Sequence, residues 1–303
     1  MAHADYQTTM WDWLTDVASV INYANNHNEL PQRIATVKRG TELSPVLPMV
    51  AILPELETYE GQFSRGWTNV RRQIIVNTTI HVFNTHEGRK DVLEISEALR
   101  EQLWENTPST AYNKEIGDVI PGPDPIRDRR GFQQNAAFTF TSWHKEEKNI
   151  ADQGDTYSEP TGIQMLTAIC DTLDANRNMF NQATIRGVYL PEGGTPKAIA
   201  HIPMITTVLQ SEMRDDTLRG KREVKRNFAL DVFTYLAAKP ENLQMNISLV
   251  EVLKDVLQTN SRWGGRCITS DITSINYGFS LEEERYMYDT QVLLSCLSRE
   301  AVR

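Results

Sequence analysis

The sequence predicts an α+β fold in two tandem similar domains, each a mostly antiparallel sheet with helices packed on one face. Three observations predict it. Sliding the chain along itself by about 154 positions brings its halves into register. Each half repeats one order of patterns, helix, three strands, helix, two strands, which suits layers of helix on sheet. The longest strand of each half alternates apolar and polar residues, as a strand with one face on a core does.

The register is dense. Leu47-Pro48-Met49-Val50 meets Ile202-Pro203-Met204-Ile205, Arg65-Gly66 meets Arg219-Gly220, and Arg71-Arg72 meets Lys225-Arg226. Glu97, Leu99, Arg100, Leu103 and Asn106 meet Glu251, Leu253, Lys254, Leu257 and Asn260. Phe138, Phe140, Lys145 and Glu146 meet Val292, Leu294, Arg299 and Glu300. Solenoid repeats have periods of roughly 20–50 residues, so this unit is a whole domain. The expected domains are 1–148 and 149–303, with charged Lys145–Tyr157 as the linker.

The first copy opens on a helix whose Trp11, Leu14, Val17, Ala18 and Ile21 recur at helical spacing, with Thr8 or Thr9 as cap. Its counterpart runs through Ile163, Leu166, Ile169 and Leu173 after Pro160-Thr161-Gly162. A short β segment near Ile34–Val37 matches Thr184–Tyr189, and Pro- and Gly-bearing turns follow at Gly40–Pro45 and Pro191–Pro196. The next strand, Leu47–Leu53, matches Ile202–Leu209. Glu55, Glu57 and Glu60 then read as a solvated polar connection.

The long strand follows, with Ile74, Val76, Thr78, Ile80 and Val82 on one face; Phe228, Leu230, Val232, Thr234 and Leu236 form the same face in the second copy. A second helix carries Val92, Ile95, Leu99 and Leu103, and again Ile247, Val250, Leu253 and Leu257. Both end near an Asn, a residue that tolerates a left-handed terminus. Two strands close each copy: Ile116–Ile120 and Ala136–Trp143, then Cys267–Ile272 and Thr290–Leu297.

A net charge of −9 in 303 residues, with pI near 5.3, argues against nonspecific nucleic-acid binding, which needs a basic face. Three cysteines without CxxC spacing (Cys170, Cys267, Cys296) fit reduced thiols in a cytosol-like compartment better than a disulfide or zinc framework. No apolar run reaches the 18 or more residues of a membrane span, and the N-terminus lacks a signal layout.

The chemistry search finds neither GxxxxGK[ST] nor GxGxxG after a strand, HExxH or GxSxG. The six histidines are scattered, with His81 and His86 five apart, unlike helical metal ligands, and Gly193-Gly194 reads as a turn. Neither an enzyme, a cofactor nor a metal site is expected. What stands out is charge. Cationic residues surround the entry to each long strand: Arg65, Arg71 and Arg72; Arg219, Lys221, Arg222, Lys225 and Arg226. They read either as soluble exposed hairpins or as a repeated docking loop. Before the closing strands, Arg127, Arg129 and Arg130 stand where the second copy has Glu282, Glu283 and Glu284. This swap reads as drift between exposed loops or as complementary rims between subunits, which fix register more than affinity.

The order of elements, the Leu47-Pro48-Met49-Val50-Ala51-Ile52 strand, the strand led by Val70-Arg71-Arg72-Gln73-Ile74 and the helix Asp91–Trp104 resemble the tail terminator (tail completion) proteins of long-tailed bacteriophages. The resemblance covers both halves and rests on pattern. It implies a non-enzymatic virion protein, assembled in the host cytoplasm, that rings the head-proximal end of the tail tube. Such a ring stops tube growth and presents a surface to the head–tail connector. Family members are typically one domain, so two domains imply either a hexameric ring or a trimer with pseudo-sixfold symmetry. Implied partners are the tail tube protein, the tail sheath protein in a contractile-tail variant, and connector or neck proteins, with no membrane and no sequence-specific nucleic acid. Two alternatives stand beside it: another adaptor, tube or baseplate component with the same module, and a small-ligand binding protein using a cleft between duplicated domains.

Overall fold

The structure, a computed structural model, describes residues 9–40, 46–61, 67–83, 86–106, 113–123, 131–147, 160–180, 187–189, 203–218, 221–235, 240–282 and 285–301. Among the described residues it is a mixed α and β protein with four α-helices and mostly antiparallel strands. The chain divides into two compact units. Unit 1 comprises Met1–Glu57, Arg71–His144 and Ala237–Gln244; unit 2 comprises Thr58–Val70, Lys145–Leu236 and Met245–Arg303.

The first half begins with α1 (Met10–Asn26), started by a reciprocal cap. The Asp12 amide donates to Thr9 Oγ1 at 3.2 Å, and the Thr9 amide donates to Asp12 Oδ2 at 2.9 Å. The helix buries Met10, Trp13, Leu14, Val17, Ile21 and Ala24. The expected stripe through Trp11 and Ala18 is therefore turned. Trp11 and Trp13 lie about 200° apart on a helix, and only Trp13 shares the face of Met10 and Val17. Trp11 is half-buried instead, its ring covered by the Arg39 guanidinium at 4.2 Å.

Next, β1 (Thr36–Arg39) lies parallel to β2 (Met49–Gly61), with Thr36 opposite Met49. Gly40, at φ 105°, ends β1 in a conformation that favours glycine. β3 (Trp67–Phe83) buries Arg72, Ile74, Val76, Thr78, Ile80 and Val82 on one face, with Thr79 and His81 buried on the other. α2 (His86–Glu105) lays Val92, Ile95, Leu99 and Leu103 on the core. β4 (Asn113–Pro123) and β5 (Gly131–Glu147) close the half as an antiparallel pair. The five strands stand in the order β1-β2-β3-β5-β4.

The second half repeats this. α3 (Gly162–Ala175) starts with a reciprocal cap between Thr161 and Gln164, whose amide-to-oxygen distances are 2.8 and 3.2 Å. After a 3-10 turn (Arg177–Phe180), β6 (Gly187–Tyr189) lies parallel to β7 (Met204–Leu218). β8 (Lys221–Tyr235), α4 (Pro240–Thr259), β9 (Thr269–Glu282) and β10 (Arg285–Ala301) follow. The order is β6-β7-β8-β10-β9, the same as in the first half, and β7–β8, β8–β10 and β9–β10 are all antiparallel.

Three expectations need correction. The strands run longer than their apolar cores, and β2 and β7 continue through polar sequence because each still pairs with a neighbour. Glu55, Glu57 and Glu60 therefore stand on β2 and not in a loop. Ile163 is 76% exposed, because α3 buries Met165, Ala168, Ile169 and Leu173 instead. Asn106 and Asn260 lack positive φ, found outside glycine only at Asn28 and Trp263 among the described residues. Their side-chain amides reach back to Gln102 and Val256 carbonyls, satisfying helix ends without a left-handed residue. The turn residues 41–45 and 191–196, with Gly193-Gly194, lie outside the described residues.

Each threonine cap satisfies otherwise unbonded amides, so Thr9→Ala and Thr161→Ala are each expected to cost about 1 kcal/mol. Thermal denaturation of the single variants checks this, and a loss restored by serine but not by valine identifies the hydroxyl as the cause.

Candidate functional site

The two basic segments form the site to examine, and the structure separates their members. Arg72 and Arg226 are not surface cations. Arg72 is 3% exposed, and its Nε donates to Glu57 Oε1 at 2.6 Å across the β2–β3 pair. Arg226 is 1% exposed, and its Nε donates to Glu212 Oε2 at 2.7 Å across β7–β8, where the two residues face each other in register. Arg226 Nη1 also donates to Ser298 Oγ at 2.8 Å on β10. These two arginines are therefore internal, which corrects their reading as partner contacts. The physical reason is strand parity. Each stands two residues before a buried apolar residue of its strand, Ile74 or Phe228, so the pleat turns it to the same inward face. A buried guanidinium then requires a carboxylate, and Glu57 and Glu212 supply it from the adjacent strand.

The α3 start closes over the second pair. A Cβ at Gly162 would stand 2.8 Å from Leu209 Cδ2, 3.7 Å from Glu212 Oε2 and 3.9 Å from Arg226 Nε. Only a residue without a side chain lets the helix approach so closely, and the helix N-terminus favours the nearby carboxylate. Burial by itself would raise the Glu212 carboxyl, but hydrogen bonds and charge from Arg226 and Arg214 outweigh it and hold the group below the ordinary 4.5. A carboxyl lowered in the folded state stabilises fully above that ordinary value and loses the contribution as pH falls through its folded value. The stability advantage of the parent chain over Glu212→Gln is thus expected to shrink as pH falls below 4.5, the ordinary value. Thermal unfolding of both across that range checks the sign.

The other cations separate into three groups. Lys225 is exposed and Arg222 half-buried on β8. Arg71 lies on β3 and Lys221 begins β8. Arg65 and Arg219, between the paired strands of each hairpin, lie outside the described residues. So do Arg127, Arg129 and Arg130 between β4 and β5, and Glu283 and Glu284 between β9 and β10. Glu282 ends β9 opposite Arg285.

The thiols are buried within the protein. Cys170, Cys267 and Cys296 are free and buried. Burial pushes the Cys170 thiol up, and burial beside Cys267 pushes Cys296 well up, the wrong direction for a nucleophile. Among the described residues, no group of His, Cys, Asp and Glu could hold a metal ion. No described helix is long and apolar enough to cross a membrane.

The sequence reading missed one polar network. Asn246, on the core face of α4, donates to the Val232 carbonyl at 3.4 Å and accepts from Thr290 Oγ1 at 2.6 Å. The register that carries Arg72 onto Arg226 carries Val92 onto Asn246 and Ala136 onto Thr290. Both partners change together, the exchange that leaves no orphaned polar group. That paired difference was the signal available. No protein-family model matches this chain, and no curated protein matches it.

Proposed function

We propose that the chain is two tandem copies of one α+β module and serves as a structural virion protein. In this reading it forms a ring on the head-proximal end of a phage tail, ends growth of the tube, and offers the outer surface to the head–tail connector. The observation that carries it is the repetition of a five-strand order, a capped leading helix and a buried Glu–Arg pair at equivalent positions. These features add to the resemblance of both halves to tail terminators. A duplicated module presents two like surfaces along one chain, which suits a ring of heterologous contacts whose rotation closes. It serves as a hexamer or as a trimer with pseudo-sixfold symmetry. The partners are tube protein, sheath protein where the tail is contractile, and connector or neck proteins. The chain acts without turnover in the virion, after assembly in the host cytoplasm.

The oppositely charged connections supply a candidate register. The Arg127, Arg129 and Arg130 segment of one subunit would face Glu282, Glu283 and Glu284 of its neighbour. Arg129→Glu with Arg130→Glu is expected to weaken assembly in light scattering, and an unchanged oligomer would remove this rim. For the function itself, purified chain is imaged by negative-stain microscopy alone and with tail tubes. Rings seated on one tube end support the reading; a strictly monomeric chain that ignores tubes overturns it.

A further inference from the structure

Two strands that are equivalent in the repeat have unlike neighbours. β2 and β7 are the second strands of their halves, and a short parallel strand covers the start of each on its outer side: β1 along Met49–Ile52, β6 along Met204–Thr206. Further along the same side, β2 gains another neighbour. The sheet order places it beside β9, and its stretch from Thr58 onward belongs to the compact unit that contains β9 and most of α4. There the centre of the Tyr59 ring lies 5.6 Å from Lys254 Nζ. Beyond Thr206, β7 has no strand on its outer side among the described residues.

The two strands differ in exposure accordingly. The register that carries Glu57 onto Glu212 carries Leu56, Thr58 and Tyr59 onto Ser211, Met213 and Arg214. The first three are half-buried; the second three are exposed, Met213 by 54%. β9, the strand beside β2, has its own equivalent in β4. Each is last in the strand order of its half, and Ile116 faces Phe138 where Ile275 faces Val292, the repeat partner of Phe138. β4 ends the sheet, with β5 as its one strand neighbour among the described residues. The outer N–H and C=O groups of such an edge are a template for another strand.

We propose that the outer edge of β7, beyond Thr206, pairs through main-chain hydrogen bonds with the outer edge of β4 in a second copy of this chain. The repeat selects the occupant. The second strand of one half beside the last strand of the other is the pairing that β2 and β9 already make, and β7 with β4 is its counterpart. β4 ends the sheet order on one side and β7 stands next to its other end, so the partner strand comes from another copy. Pro121 and Pro123 offer no N–H, which confines the pairing on β4 to Asn113–Ile120. Repeated from chain to chain, the contact runs head to tail and closes into a ring where its rotation allows. This deepens the proposed ring and rests on the reading of two copies of one module.

The test uses the full chain. A chain carrying p-benzoylphenylalanine in place of Met213, whose excited ketone inserts into a neighbouring C–H bond and becomes an alcohol, is mixed with heavy-isotope-labelled parent chain and irradiated. The expected adduct joins the light β7 peptide to the heavy tryptic peptide Glu115–Arg127, which carries β4. In parallel, Met213→Lys with Asp215→Lys places two cations on exposed positions of the same strand face. Lysine on an edge opposes strand addition, so self-association is expected to weaken by about tenfold or more, with the far-UV circular dichroism unchanged. Rings that form without the β4 adduct and tolerate the lysines overturn the edge pairing and leave the ring reading standing. The light–heavy adduct in chains that never cap a tube supports the edge pairing and defeats the tail reading. A chain monomeric at every concentration overturns both.

Discussion

Arg72→Ala is expected to destabilise the protein by about 3–5 kcal/mol, because it leaves a buried carboxylate with its charge uncompensated. Glu57 has no exposed side-chain surface, so water cannot replace the guanidinium without opening the strand pair. Set against a typical domain stability of about 5–15 kcal/mol, such a loss removes a large share of the whole. Urea unfolding followed by tryptophan fluorescence measures it. The double variant Arg72→Met with Glu57→Leu is expected to recover most of the loss, since exchanging both ions for apolar groups of similar volume is near neutral. Arg226→Ala is expected to cost less, because Glu212 keeps 24% exposure and a second partner in Arg214. A single variant Arg72→Ala within about 1 kcal/mol of the parent would show that the pair is hydrated and contributes as little as a surface pair does.

Trp263→Ala is expected to cost about 3–5 kcal/mol as a large-to-small core change. The indole is 2% exposed, in the connection between α4 and β9, and its Nε1 donates to Ser270 Oγ at 3.0 Å. Around it, Cys267 Sγ donates to the Ser261 carbonyl at 3.3 Å, and the Arg266 and Cys267 amides donate to the Arg262 carbonyl. The backbone at Trp263 has φ 49°, a left-handed conformation that packing must hold in place. Ser270→Ala separates the contributions: it removes one bond to a buried N–H and should cost about 1–3 kcal/mol. Denaturant unfolding monitored by far-UV circular dichroism checks both variants. If Trp263→Ala costs no more than Ser270→Ala, the ring contributes no packing.

Local rules carried most of the architecture. The sequence offers Thr8 or Thr9 as the first cap and Pro160-Thr161-Gly162 as the second start, and in space Thr9 and Thr161 are the caps, because an Asp or Gln three residues later completes the same short-range pair. The alternations Ile74–Val82 and Phe228–Thr234 are buried as their period requires. The errors lie where two neighbouring patterns compete. Trp11 fits a helical row with Leu14 and Trp13 fits one with Met10 and Val17, and packing decides for Trp13. Glu57 looks like a loop carboxylate until the strand is seen to continue through it, and Arg72 looks like a surface cation although its parity with Ile74 already placed it inward. Arg100 and Lys254, aligned in sequence, differ in exposure because of what covers them, which no local pattern carries.

The sequence by itself determined the order of elements, the helix starts and the parity of the long strands, since each depends on residues within a turn or a few positions of one another. Tertiary structure decided which carboxylate meets each inward-facing arginine. An arginine is buried only when a carboxylate meets it, and Glu57 reaches Arg72 from 15 residues away along the chain, across two strands. That pairing is set by strand register, which lies in the whole sheet and not in any one segment.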